Sequence, residues 1–335
     1  STGAIERPLI FADNDRPGVM LAGATRTYVN RYGVAVGGKV CIFTNNDDAY
    51  RSALDLKRAG IDVPAVIDVR PDPAGDLVIE AIEAGIEVID SAVVVRTVGK
   101  RTVKEIEVMD LNEAGHIMPH TTRAIPCDIV ASSGGWNPAI HLHSHTGGKT
   151  YFDENKGIFL PITGDCNCQS VGAANGSFSL FNCLKEGSDA GKQAANTTGA
   201  KKLNRKKKPK TQQENEEPWH LKWIIPTTES TGGESRHFLD QAHDVTVNDV
   251  RLSVREGYHS IEHAKRYTTL GMAPDQGKTG NIIGMAILSA ELGISNPGQI
   301  GTSTFRPPYT PVTIGALAGR NIGHLMDPVR MTPIH

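Results

Sequence analysis

Residues 39–60 read KVCIFTNNDDAYRSALDLKRAG. KVCIF is an apolar run of strand length, and DDAYRSALDLKRAG places Ala49, Ala53, Leu54 and Leu56 on one helical side before Gly60 stops it. A strand that turns straight into a helix is the opening unit of a dinucleotide-binding fold. In that fold the turn is rich in glycine, because a pyrophosphate needs main chain within hydrogen-bonding distance. Here the turn is Thr44, Asn45, Asn46 and Asp47, with a side chain at every position. The outline of a nucleotide-binding lobe is therefore predicted without its phosphate loop.

Downstream the pattern repeats. PAVIDVR is a second strand, DLVIEAIEAG a second helix and IEVID a third strand, which implies parallel βαβ units between Gly37 and about Gly115. SAVVVRTVG and TVKEIEVMDLN, split by GKR, read as an antiparallel hairpin. CDIVASSGGWNP is a further strand ending in paired glycines, and IFLPITGDC runs into a Gly- and Ala-rich turn and the helix SLFNCLKEGSDAGKQAA.

Beyond this, residues 199–218 (with AKKLNRKKKPKTQQENEEP) are too polar to order themselves and read as a linker. Residues 219–292 read as a small helical module. In it Thr246 caps a helix carrying Val247, Val250 and Val254, SIEHAKRYTTLG is a second helix and IIGMAILSAELG a third. TSTFRPPYTPVT, with Pro307, Pro308 and Pro311, is expected to be extended, and residues 293–335 are expected to lead into another domain.

Composition narrows the partners. At 335 residues there is room for two or three cores, and 35 basic against 37 acidic residues leave no field that would favour nucleic acid or an acidic membrane. No apolar run approaches the roughly 20 residues that span a bilayer, and no signal segment opens the chain. A soluble, cytoplasmic protein is expected, and five cysteines suit a reducing compartment better than a disulfide framework. The abrupt start STGAIERPLIF and end RMTPIH suggest an internal piece of a larger polypeptide.

Three motifs carry chemistry. TGA (Thr2, Gly3, Ala4) and ITGDC (Gly164, Asp165) bracket the inserted βαβ lobe, as in two-dinucleotide-domain flavoprotein reductases. There one turn closes the first nucleotide domain and a Gly-Asp strand end marks the chain's return. After it, Gly172, Ala173, Ala174 and Gly176 let backbone approach a ligand, or else pack a helix closely on a sheet. HLHSH would align His141, His143 and His145 on one face of a strand, with Cys166 and Cys168 downstream. Neither spacing is a standard structural zinc pattern, so no metal is expected. KRYTTLGMAPDQGKTGN gathers Lys265, Arg266 and Lys278 with Thr268, Thr269, Thr279, Gln276 and Asn281 around Gly271, Gly277 and Gly280. That mixture suits a phosphate oxygen, while cations at a helix C-terminus account only for Lys265 and Arg266. No catalytic triad or paired-carboxylate signature is present.

Residues 1–9 (STGAIERPL), 43–56 (FTNNDDAYRSALDL), 265–279 (KRYTTLGMAPDQGKT) and 304–320 (TFRPPYTPVTIGALAGR) resemble, in order, the alpha subunits of heterotetrameric sarcosine oxidases. The resemblance implies an α/β, two-dinucleotide-domain, flavoprotein-reductase-like (Rossmann-type) region followed by a small all-α module. Residues 1–36 and 116–198 would be the remainder of the first, NAD-binding domain, and 37–115 a degenerate second lobe kept as a packing scaffold. A GxGxxG region would precede residue 1, and a folate-binding domain similar to glycine-cleavage aminomethyltransferase would follow. It further implies structural NAD lined by Thr2, Gly3, Gly164, Asp165, Ala173, Phe178 and Leu180. FMN at the interface with a beta subunit would meet Arg266, Thr268, Thr269, Gln276, Gly277 and Lys278. FAD and tetrahydrofolate would lie elsewhere in a complex with beta, gamma and delta subunits. The module also resembles bacterioferritin-associated ferredoxin, but it has no cysteine to bind a cluster. The implied reaction is oxidative demethylation of sarcosine, to which this chain brings no base or nucleophile. Opine oxidase and hydrogen cyanide synthase share the architecture. A pyridine-nucleotide-dependent reductase would need glycines at 44–48, and a cofactor-free assembly subunit is the non-enzymatic alternative.

Overall fold

KVCIF forms the central strand of a five-stranded parallel sheet. The computed structural model describes residues 2–162, 164, 168–199, 211, 217–226, 236–303, 305–308, 310–321, 323 and 331–334. The chain opens with β1 (Ala4–Glu6), β2 (Val19–Leu21), α1 (Ala22–Tyr32), β3 (Val40–Thr44), α2 (Asp48–Arg58), β4 (Ala65–Asp68), α3 (Asp76–Glu83) and β5 (Glu87–Ile89). It continues through β6 (Ala92–Val98), β7 (Glu105–Asp110), β8 (Arg123–Pro126), β9 (Ile129–Ser133) and β10 (Trp136–Pro138). The parallel sheet runs β2-β9-β3-β4-β5.

All five residues of β3 are buried, as both faces of this sheet are covered. Val40 and Ile42 pack with Ala49, Tyr50, Ala53 and Leu56 of α2, while Cys41 and Phe43 face the antiparallel sheet β6-β7-β8 through Val93, Val95 and Ile106. One residue of alternation thus sends successive side chains to helix and to sheet.

This sheet redraws the boundaries expected at 37 and 115. β2 and α1 precede Gly37, and β9 follows 115, yet β9 is hydrogen-bonded to both β2 and β3 and lies inside the lobe. The GVML run is too short to declare itself as a strand in sequence, and a strand returning after a three-stranded excursion carries no local mark of its sheet.

Outside the lobe, β1 pairs antiparallel with β10, placing Glu6 opposite Trp136. Then come α4 (His141–His145), the hairpin β11 (Thr150–Asp153) and β12 (Ile158–Pro161), a 3-10 turn at Gly172–Asn175 and α5 (Leu180–Thr197). Arg7, 1% exposed, ties these pieces together. Its guanidinium donates to the carbonyls of Gly134 (2.8 Å), Lys156 (2.9 Å) and Gly157 (2.7 Å) and to Asn137 Oδ1 (2.8 Å), and it stacks on Trp223.

The last unit holds β13 (Phe238–Asp240), β14 (Val245–Thr246), α6 (Val247–Arg255), α7 (Ile261–Thr268), α8 (Asn281–Glu291) and α9 (Ile314–Ala318). Thr246 caps α6 in a reciprocal box with Asp249, as its sequence predicts. α8 is buried from Asn281 to Ser289, which fits a helix apolar on every side.

Two further boundaries move. Ile225 donates to the carbonyl of Ile10 (2.7 Å) and joins the sheet lobe's core, while Trp223 and Ile224 pack on the module's core, so this stretch spans both rather than opening the module. Beyond 292 the chain folds back, burying Pro297 and Ile300 under α8 rather than leaving at once. Most of the polar linker lies outside the described residues. Among those described, no helix is long and apolar enough to cross a membrane.

Candidate functional site

The Thr44–Asp47 turn is sealed by its own chain. Asn45 and Asn46 are 0% and 1% exposed. Asn46 Nδ2 donates to Ser133 O (3.3 Å) and Ser133 Oγ (3.1 Å), and Asn45 Nδ2 to His220 O (2.9 Å). Asp47 accepts from Arg70 Nη1 (2.6 Å) and from the backbone N–H of Glu217 (2.8 Å), so residues 217–220 lie across the turn where a pyrophosphate would pass. At the end of β4, where such folds present a carboxylate to a ribose hydroxyl, Asp68 is instead bound by Arg70 Nη2 (2.8 Å) and Tyr50 OH (2.8 Å). Burial pushes the Asp68 carboxyl up while Arg70 pulls it down. Burial works against the Arg70 charge, but Asp68 and Asp47 outweigh it and raise its pKa. The lobe has filled its own ligand site with an ion network.

The other side is open. Gly3 (φ +74°) and Gly164 (φ +84°) take the left-handed conformation that favours glycine, and a Cβ built on either meets nothing within 4 Å. Thr2 Oγ1 donates to Ala139 O, fixing this end of β1 to the segment after β10. Ala173 and Phe178 share a cavity of about 240 Å³ with Ala4, Trp136 and Trp219, and Asn46, Asp47 and Glu217 line it too, so it reaches the edge of the covered 44–47 turn. Phe178 packs on Trp219 with ring centroids 5.0 Å apart. Leu180 opens α5 and is 63% exposed, and Ser179 caps that helix. Asp165 lies outside the described residues. Glu6, not singled out by sequence, is buried beside this region and accepts from Gly23 N–H (2.7 Å), and burial raises its pKa to about 8.

The six phosphate candidates divide. Gly277 and Lys278 line a cleft of about 250 Å³ together with His141, His145, Ser303 and Phe305. Arg266, Thr268 and Thr269 do not line it. Arg266 pairs with Glu262 (3.4 Å), Thr268 Oγ1 donates back to Ala264 O (2.8 Å), and Thr269 ends α7 in the left-handed conformation. Those three serve the helix end. Gln276 also turns elsewhere, donating through Nε2 to Arg306 O (2.9 Å) and Pro308 O (3.2 Å) and accepting from Arg306 N–H (2.8 Å).

Asn281 braces the loop. Its Nδ2 donates to Gln276 O (3.0 Å) and Ser303 Oγ (3.2 Å), while a Cβ on Gly277 would lie 2.0 Å from its Oδ1 and one on Gly271 2.1 Å. Both glycines are therefore obligatory, a requirement that their spacing in the sequence did not reveal.

HLHSH is a helix, not a strand, so its histidines do not share a face. His143 packs on Gly148 and hydrogen-bonds Lys149 O (2.9 Å), and His145 hydrogen-bonds Phe305 O (3.0 Å). Burial, then the nearby Lys278 charge, lowers the His141 pKa to about 4, so this ring is neutral at pH 7. Among the described residues no group of three His, Cys, Asp or Glu is placed to hold a metal ion.

Residues 234–320 match the sarcosine oxidase A3 domain, a span that starts after 219 and runs well past 292. Over its whole length the chain is 39% identical to sarcosine oxidase subunit alpha of Corynebacterium sp. (strain P-1) and 41% identical to that of Rhizobium meliloti (strain 1021). It spans about a third of the length of these curated relatives, 34% and 32%. The L-proline dehydrogenase of P. horikoshii has the same fold, with a TM-score of 0.66 at 21% identity over 95% of this chain and 57% of that one.

Proposed function

We propose, from the premise that this chain belongs to the sarcosine oxidase alpha subunit family, that it is part of the alpha subunit of a sarcosine oxidase complex. In that complex it holds a structural NAD on its first lobe and one wall of an FMN site at the interface with a beta subunit. The observation that carries the reading is the contrast between the lobes: open glycine backbone at Gly3 and Gly164, and a turn at 44–47 covered by residues 217–220.

The residues fit both groups. For the dinucleotide, main chain at Gly3 and Gly164 is free to approach a pyrophosphate, and the family resemblance would add Thr2, Ala173, Phe178 and Leu180 to the lining. For the flavin phosphate, Lys278 supplies charge and Gly277 close backbone, beside apolar walls at Ile282, Met285 and Phe159. FMN, when bound, supplies the electron transfer that passes electrons from the oxidised amine to oxygen. The chain's own part is to bind and orient. His141 is neutral at pH 7 and lines the cleft beside Lys278, the cation proposed to meet the phosphate. FAD and tetrahydrofolate belong to other parts of the complex, as do the gamma and delta subunits. The products are glycine, hydrogen peroxide and either formaldehyde or methylene-tetrahydrofolate. Denaturing the full-length protein with its partner subunits and identifying the released nucleotides by mass tests the reading. NAD and FMN are expected, and release of neither overturns it.

A further inference from the structure

Gln276, next to the cleft-lining Gly277, is an anomaly. It takes φ +54°, a conformation that strains any residue with a Cβ, and stands next to Gly277 in the same region. A glycine would be the relaxed choice, yet a long amide side chain is kept and every polar atom of it is spent on residues 306 and 308. Residues 306–308 are exposed and Pro307 and Pro308 have no N–H of their own, yet this side chain makes three bonds to the segment: two to its carbonyls and one from the Arg306 N–H.

The segment so held crosses from one body of the molecule to another. On the module side Lys265 Nζ donates to Ser303 Oγ (3.3 Å), Asn281 donates to the same oxygen (3.2 Å), and Gln276 makes its three bonds. On the other side Phe305 packs edge-on to His141 with centroids 3.9 Å apart, and its carbonyl meets His145 Nε2 at 3.0 Å. Thr302, Ser303 and Phe305 line the same cleft as Gly277 and Lys278.

We infer that Gln276 is a positioning residue that latches residues 305–308 as a strap at the cleft, so that a phosphate-bearing flavin held at Lys278 leaves only when the latch opens. This rests on the reading of the cleft as a flavin phosphate site. The strained backbone sets the latch's reach, because the left-handed turn at Gln276 points its side chain away from Gly277 and Lys278, which line the cavity, and toward the strap. A phosphate contact by Gln276 itself is thereby replaced by an indirect role.

The test uses the full-length alpha subunit assembled with its partner subunits, with FMN as the probe. Two variants are compared: Gln276→Ala loses the latch and keeps the strain, and Gln276→Gly loses both. Hydrogen exchange of the Arg306 amide, which donates to Gln276 Oε1, and the rate of FMN release on dilution, followed by flavin fluorescence, are measured on each. Both variants are expected to speed Arg306 exchange and FMN release by about tenfold, the equivalent of one net hydrogen bond, since the strap's exposed carbonyls turn to water once the amide is gone. Gln276→Gly alone is expected to recover thermal stability relative to Gln276→Ala, which separates the latch from the loop's own stability. Faster exchange with unchanged FMN release overturns the strap's role, and unchanged exchange overturns the latch. If the parent complex itself holds no FMN, the flavin reading of the cleft falls and the strap's role falls with it.

Discussion

Replacing Arg70 by Met removes the cation on which the sealed lobe is built. The guanidinium is 4% exposed and contacts Asp68, 0% exposed, through Nε (3.1 and 3.2 Å) and Nη2 (2.8 Å), and Asp47, 6% exposed, through Nη1 (2.6 Å). Without it Asp68 keeps the Tyr50 hydroxyl (2.8 Å) and the Arg70 backbone N–H (2.9 Å), but no positive charge. Removing one partner of a buried ion pair costs about 3–5 kcal/mol, much of it for the stranded charge. The Asp68 carboxyl, already pushed up by burial, loses the cation that held it down, so its folded pKa rises further above the unfolded value. The folded state then binds the proton more tightly, and the variant's deficit should shrink as pH falls from 7 toward 5. Urea denaturation of the full-length protein, followed by circular dichroism at both pH values, measures this directly. The double variant Asp68→Asn/Arg70→Met should recover much of the loss. A deficit under about 1 kcal/mol at pH 7, or one indifferent to pH, would refute the claim that the network is a buried, charge-balanced plug.

Further outcomes follow from the same geometry. Lys278→Met should weaken FMN retention in the assembled complex, since one charge-assisted contact contributes about 1.5–3 kcal/mol, and flavin content after gel filtration reads it. Gly277→Ala places a Cβ 2.0 Å from Asn281 Oδ1 at φ +67°, and should lower the melting temperature more than Gly3→Ala, whose Cβ meets open space. Thr246→Ala removes the cap of α6 and should cost about 1 kcal/mol by denaturant midpoint. Glu6, with its folded pKa raised to about 8 from 4.5, makes stability fall as pH rises through that window. The slope approaches about 1.4 kcal/mol per pH unit for one proton, and Glu6→Gln should flatten it in a pH series of melts.

Much of the fold is legible in the residues, because parallel strands covered on both faces write themselves as apolar runs. KVCIF, AVID and EVI are strands at the expected places, α2 and α3 lie between them, and α6, α7 and α8 begin and end near their caps. What escapes is non-local. The sheet membership of β2 and β9 depends on partners about 110 residues apart, and the closure of the 44–47 turn depends on a segment near residue 217. The candidate site divides the same way. Gly277 and Lys278 lie in one cleft, whereas Arg266, Thr268 and Thr269 are spent on the end of α7, since a run of cations and hydroxyls serves a helix terminus as readily as a phosphate. Gln276 faces residues 306 and 308, a contact across 30 residues that the proline run gives no local sign of. HLHSH folds as a helix, and a period-2 histidine pattern of five residues cannot exclude that.

The central claim is that dinucleotide access survives on one lobe and is closed on the other. A crystal structure of the full-length protein with NAD tests it most directly. Density for the pyrophosphate is expected beside Gly3 and Gly164, with Asn45, Asn46 and residues 217–220 still in contact. Density lying over Asn45 and Asn46, with residues 217–220 displaced and the glycine side bare, would contradict it.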